Sequence, residues 1–116
     1  MKILVAIKQV PMRDSVLRVE GTWIDERDLS FEINEPDAYA LEEALQLKEK
    51  HGGEVVAISI GPARAQTVIR EALAKGADRA IHIEEDAGSR LDSFGTAKLL
   101  AEATRAEKPD LIVSGL

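Results

Sequence analysis

Three short runs of this chain are apolar at almost every position: ILVAI over Ile3 to Ile7, VVAISI over Val55 to Ile60, and LIVS over Leu111 to Ser114. A strand with water on one face alternates apolar and polar side chains, because successive side chains point to opposite faces. A run without that alternation is covered on both faces, as in the interior of a parallel sheet. Three such runs predict a mainly parallel sheet with helices on both sides, which places the chain in the α/β class. A further run, RAIHIEE (Arg79 to Glu85), which comes third of the four in chain order, does alternate, with Ile81 and Ile83 set among Ala80, His82 and Glu84. Its period of two leaves one face open to water and predicts a strand at the edge of the sheet.

The segments between the runs carry helical signals. EPDAYALEEALQLKEKHGG follows Asn34, an N-cap residue, and has Pro36 in its first turn, where the missing N–H costs nothing. Leu41, Ala44 and Leu45 form its apolar stripe, Glu35 and Asp37 sit at its positive end, Lys48 and Lys50 at its negative end, and Gly52-Gly53 stops it. In ARAQTVIREALAKGAD, Val68 and Ala72 share one face, Ile69 and Leu73 another, and Gly76 is the stop. DSFGTAKLLAEATRAEKP starts at Asp92 or Ser93, carries Leu99, Leu100 and Ala103, and ends before Pro109. Right-handed crossovers then give a doubly wound sheet in the order third, second, first, fourth run. Residues 9–33 are too long for a simple connection. Their short alternating pieces VLRVEG, TWI and LSFEI, around Gly21, predict a small β-hairpin excursion after the first strand.

Length and composition bound the rest. At 116 residues the chain suits one α/β nucleotide-binding-like domain over residues 1–116. Aromatic residues are only 3%, so the core has to be built from Ala, Val, Ile and Leu. A net charge of −6 argues against nucleic acid as a partner, since phosphate contacts need a basic face. The absence of cysteine excludes disulfides, thiol catalysis and cysteine metal ligation. No apolar run approaches the roughly 20 residues of a membrane helix, and MKILVAIK reads as a strand, not a signal peptide. Together these predict a cytoplasmic protein without membrane insertion.

An open α/β sheet binds ligands outside the carboxyl ends of its strands, at the point where strand order reverses. Here that point lies between the first and fourth runs, which end at Ala6-Ile7-Lys8 and Ser114-Gly115. Neither G-x-G-x-x-G after the first strand nor G-x-x-x-x-G-K-[ST] anywhere is present, so the standard dinucleotide and P-loop fingerprints are missing. Weaker elements remain. SIGPA (Ser59 to Ala63) leads from a strand into a helix N-terminus, where free N–H groups favour an anion, although a plain βα turn has the same composition. NEPD (Asn34 to Asp37) is either a ligand contact or only a cap and first turn. Lys8 is either an anion ligand or a solvated lysine. Ser59 and Ser114 have no evident histidine partner for a triad, and His51 and His82 both read as surface groups. No catalytic residue is visible.

ILVAIKQVP, NEPDAYALEEALQLKEK, VVAISIGPARAQTVIREALAKGADRAIHIEE and KPDLIVSGL, in this order, resemble the N-terminal half of the electron transfer flavoprotein β subunit, almost end to end. The resemblance implies an electron-carrying subunit, not an enzyme, in a heterodimer with a flavin-binding α subunit. That subunit holds most of the shared FAD, while the β subunit holds a structural AMP. It further implies electrons taken from soluble dehydrogenases, acyl-CoA-type or other, and passed to a membrane-bound quinone oxidoreductase. Carried across, the AMP contacts fall on Ala6, on Asn34, Glu35, Pro36 and Asp37, on Ile60, and on a loop starting at Gly115 and Leu116. The family often has Pro directly after the Asn, whereas here Glu35 intervenes. Family members also continue further, so the chain reads as part of a longer subunit whose AMP loop begins at Gly115. Two alternatives stay open: a stand-alone adenine-nucleotide-binding module of the stress-protein kind, and an ATP-using enzyme of the same superfold. A second FAD in place of AMP, as in electron-bifurcating relatives, is likewise open.

Overall fold

In the computed structural model, which describes residues 1–11, 18–20, 23–25, 31–84 and 93–115, the four runs form one parallel sheet. The elements in chain order are β1 (Lys2–Ala6), β2 (Gln9–Pro11), β3 (Arg18–Glu20), β4 (Trp23–Asp25), β5 (Phe31–Ile33), α1 (Glu35–His51), β6 (Glu54–Gly61), a 3₁₀ turn (Ala63–Ala65), α2 (Gln66–Lys75), β7 (Arg79–Glu84), α3 (Ser93–Glu107) and β8 (Leu111–Ser114). The sheet runs β7-β6-β1-β8, which is the predicted order of third, second, first and fourth run. Among the described residues the excursion between β1 and α1 holds two antiparallel ladders, β2 with β5 and β3 with β4.

Alternation of side chains along the central strands gives the sheet two cores. Ile3 and Val5 of β1 and Val55 and Ala57 of β6 face α1 and α2, meeting Leu41, Ala44, Val68 and Ala72. Leu4, Val56 and Ile58 face the other way, against the half-buried Leu100 and Ala103 of α3. Helices thus cover both faces. Ala40, Ala44 and Ala72 are buried where bulkier residues would hold the helices off the sheet, the packing answer to a chain with so few aromatics. Each fully buried Ile, Leu or Val contributes about 1.5–3 kcal/mol.

Two expectations about the strands need correction. The continuous apolar run LIVS predicted a strand covered on both faces, but Leu111 is 39% and Ile112 54% exposed. The reason is position: among the described residues β8 pairs with β1 alone and has no sheet neighbour on its other side. β7 is at an edge as predicted, yet its alternate face is not open to water. Ala80 packs against the α1/α2 core, and His82 is half-buried with its Nε2 3.0 Å from the Gly61 carbonyl. A carbonyl only accepts, so that nitrogen carries the proton. His82 is therefore a structural donor, whereas His51 is exposed as expected.

The amino ends of the strands, opposite the candidate site, are tied by charge. Arg79 Nη2 lies 2.6 Å from Glu107 and 3.3 Å from Glu54, and Lys2 Nζ lies 3.6 Å from each of the same carboxylates. Asp78 accepts from Lys48 Nζ at 2.7 Å and from the buried Val55 N–H at 2.8 Å. The Arg79 hydrogen bonds hold Glu54 and Glu107 below the ordinary carboxylate range, and the Lys48 bond, then the Val55 bond, do the same for Asp78. A carboxylate with a lowered folded-state pKa stabilises the fold above its unfolded value and less as pH falls through the folded one. The window therefore opens below the ordinary values of 4.5 for the glutamates and 3.8 for Asp78. Asp78→Asn is expected to cost about 1–2 kcal/mol at neutral pH, because Val55 N–H loses its charged acceptor. Urea titrations at pH 7 and pH 3.5 check this: the variant should lose less stability than the parent on acidification, and parallel losses would refute the assignment.

Candidate functional site

The carboxyl ends of β1, β6 and β8 form the other rim of the sheet. The crossover after β1 runs through α1 on one face, and the crossover into β8 runs through α3 on the other. The reversal point is thus between β1 and β8. Ala6, the last residue of β1, sits in register between Ile58 and Ser114 and is half-buried on the α3 face. Ser114 is exposed, and Ile60 is half-buried two residues beyond Ile58 on β6. The side chains at the ends of β1 and β8 are small.

Over the β1 and β8 ends stands the first turn of α1. Asn34 occupies the N-cap position with extended backbone (φ −61°, ψ 127°), but its side chain makes no capping bond. Asn34 Nδ2 instead donates to Asp37 Oδ2 at 3.2 Å. Asp37 is 4% exposed. Its Oδ2 also accepts the Lys8 N–H at 3.0 Å, and its Oδ1 accepts the Gly115 N–H at 2.9 Å. One carboxylate therefore joins the end of β1, the start of α1 and the exit of β8. Its first-turn position at the positive end of the helix suits the charge. Gly115 is pressed against the same turn: a Cβ there would fall 2.4 Å from the Pro36 carbonyl carbon, so only glycine fits without a shift.

The structure brings together Asn34, Pro36, Asp37 and Gly115, with Ala6 beside Ser114 in the β1–β8 register. Glu35 is exposed and accepts from Tyr39 Oη at 3.3 Å, and Leu116 lies outside the described residues. Lys8 is held through its backbone, donating to Asp37 and accepting from Asn34 N–H at 2.9 Å, while its side chain is exposed. The SIGPA loop is less of an anion cradle than its composition suggests. A 3₁₀ turn follows Pro62, and the Ala65 and Gln66 N–H groups are directed at the chain's own carbonyls. Ser59, in register with His82, is 1% exposed, and its Oγ has no hydrogen-bond partner among the described residues, so no Ser–His pair forms. Gln9 Nε2 donates to Arg64 O at 3.0 Å, tying the excursion to this loop. The Asp37 junction is what the sequence reading missed. Its signal was the Asn-x-x-Asp spacing from the N-cap to the third helical residue, where a carboxylate reaches back over the helix start.

Comparison with known proteins bears on the same fold. A family model described as the electron transfer flavoprotein domain matches residues 21–116. The electron transfer flavoprotein subunit beta of Thermoanaerobacterium thermosaccharolyticum is 44% identical over 117 residues, covering 99% of this chain and 45% of that protein. The subunits of the same name from Methylophilus methylotrophus and Homo sapiens are each 39% identical over 120 residues, covering 100% and 99% of this chain and 46% and 47% of those proteins. The chain spans about half the length of the curated relatives it matches. No helix among the described residues is long and apolar enough to cross a membrane. With a match over residues 21–116 and 39–44% identity to the β subunits, the chain belongs to the electron transfer flavoprotein family.

Proposed function

We propose that the protein acts as an electron transfer flavoprotein β subunit: a non-catalytic carrier subunit, located in the cytoplasm, that pairs with a flavin-binding α subunit. In this reading FAD is shared and held mostly by the α subunit. Electrons come from soluble dehydrogenases of the acyl-CoA or related type and leave to a quinone-linked oxidoreductase. These 116 residues contain no cysteine, so no thiol–disulfide couple among them carries the electrons, in keeping with a bound flavin. AMP is the structural ligand proposed for the rim over β1, β6 and β8.

The observation that carries the AMP placement is the corner built by Ala6, Ser114 and Gly115 under the first turn of α1, at the reversal point of the sheet. It fits a nucleotide in two respects. Ala6 and Ile60 offer an apolar, half-buried surface to a flat base, and the small side chains at the strand ends would let a ligand approach the main chain. AMP would supply bulk and hydrogen-bonding groups, with no redox chemistry. Asn34, Pro36 and Gly115 would border it.

Two measurements on the intact protein test the reading. Co-purification with the α subunit should give a flavin absorption spectrum, and a β chain that transfers electrons unaided would refute the carrier role. AMP should raise the melting temperature by mass action, following RT ln(1 + [L]/Kd). No shift at millimolar AMP would remove AMP from the proposal.

A further inference from the structure

We infer that Asp37 is a positioning residue for the nucleotide site: its carboxylate clamps the chain leaving β8 onto the first turn of α1 and thereby sets the wall of the crevice. The inference rests on the AMP reading above and goes beyond it by giving Asp37 a role other than ligand contact.

The geometry carries it. Gly115 is 78 residues from Asp37 and Lys8 is 29, yet the three meet at one buried side chain. Both Asp37 oxygens are engaged by the chain itself, Oδ1 by Gly115 N–H and Oδ2 by Lys8 N–H and Asn34 Nδ2. β8 ends at Ser114, so its ladder with β1 no longer guides the next residue. At that point the Asp37 bond takes over and turns the backbone toward Pro36, against which Gly115 is in contact. A carboxylate suits this junction because it offers only acceptors to three donors arriving from two sides. An amide of the same shape presents an acceptor on one side and a donor on the other. In Asp37→Asn, either Gly115 N–H or the Lys8 and Asn34 donors face an NH₂ group. Loss of the clamp should free the segment at Gly115, while the apolar contacts of the two cores stay in place.

The test uses the intact protein and AMP itself. Calorimetry should show AMP affinity about tenfold weaker in Asp37→Asn, the scale of one lost buried hydrogen bond. Amide hydrogen exchange should quicken at Gly115 and Lys8 but not at Leu4 or Val56. Gly115→Ala attacks the same contact from the other side with Asp37 intact, and should weaken AMP to a similar degree. In the double variant the two losses should not add, because both break one contact. Additive losses, or exchange that quickens equally throughout the sheet, would reduce Asp37 to a general stability role and overturn the inference. Unchanged AMP affinity in Asp37→Asn, or in Gly115→Ala should the first variant not fold, would overturn it as well. A parent protein that binds no AMP refutes the nucleotide reading itself, and with it the inference.

Discussion

Leu41→Ala is expected to destabilise the protein by about 2–5 kcal/mol, the cost of deleting a buried leucine side chain and leaving a cavity. Leu41 is fully buried at the centre of the cluster that joins α1 and α2 to the sheet. Its neighbours Ile3, Val5, Val55 and Ala57 belong to the two central strands, which are fixed by their ladders and cannot collapse into the gap. A domain has only about 5–15 kcal/mol in all, so the loss should move the urea midpoint far down at an unchanged slope. Leu73 is the matched control. It lies on α2 with the same side chain, but it is 42% exposed, and Leu73→Ala should cost well under half as much. Equal losses at the two positions would mean that α1 is not seated on the sheet as described. The substitution also reaches the site, because α1 carries Asn34, Pro36 and Asp37 at its start.

The layout of the sheet was legible because hydrophobic pattern reports burial directly. ILVAI and VVAISI are continuous, and they became the two central strands, buried on both faces. LIVS has the same pattern with a different outcome. An apolar run states what a strand requires and cannot state what neighbour supplies it, and Leu111 and Ile112 are exposed among the described residues. The histidines show a similar limit. His51 and His82 look alike in sequence, yet His82 lies opposite Ser59 in the β6–β7 register and reaches Gly61 O, whereas His51 ends a helix in water.

Contacts between distant residues were legible only as far as topology could be drawn. Lys2 and Glu107 are 105 positions apart, and nothing local in either marks the other as a partner. A parallel sheet puts the starts of all its strands on one rim, and that alone collects Lys2, Glu54 and Arg79 beside the end of α3. At the opposite rim the same rule gathered Ala6, Ser114 and Gly115, which is why the reversal point and the family resemblance led to one place. What pattern could not supply there was the part played by Asp37. A first-turn acid reads as helix-dipole complement, and its three donors become visible only when the end of β1 and the exit of β8 are in position.

Ala6→Trp is expected to abolish stabilisation by AMP while the chain still folds. Ala6 is the last residue of β1, so its side chain stands at the rim and not in the middle of a core, and it is only half-buried. The strand is secured by the fully buried Ile3, Leu4 and Val5. An indole there would add bulk between Ile58 and Ser114, where the base is proposed to approach the main chain. In the parent protein, AMP at a hundredfold excess over its Kd should add about 2.7 kcal/mol of stability. The difference between melts with and without AMP isolates this term from any cost of the substitution itself. That difference should vanish in Ala6→Trp and survive in Ala74→Trp, which places the same bulk on an exposed position of α2. A persistent AMP shift in Ala6→Trp would move the nucleotide away from the end of β1, and the crevice between β1 and β8 would lose its claim to be the site.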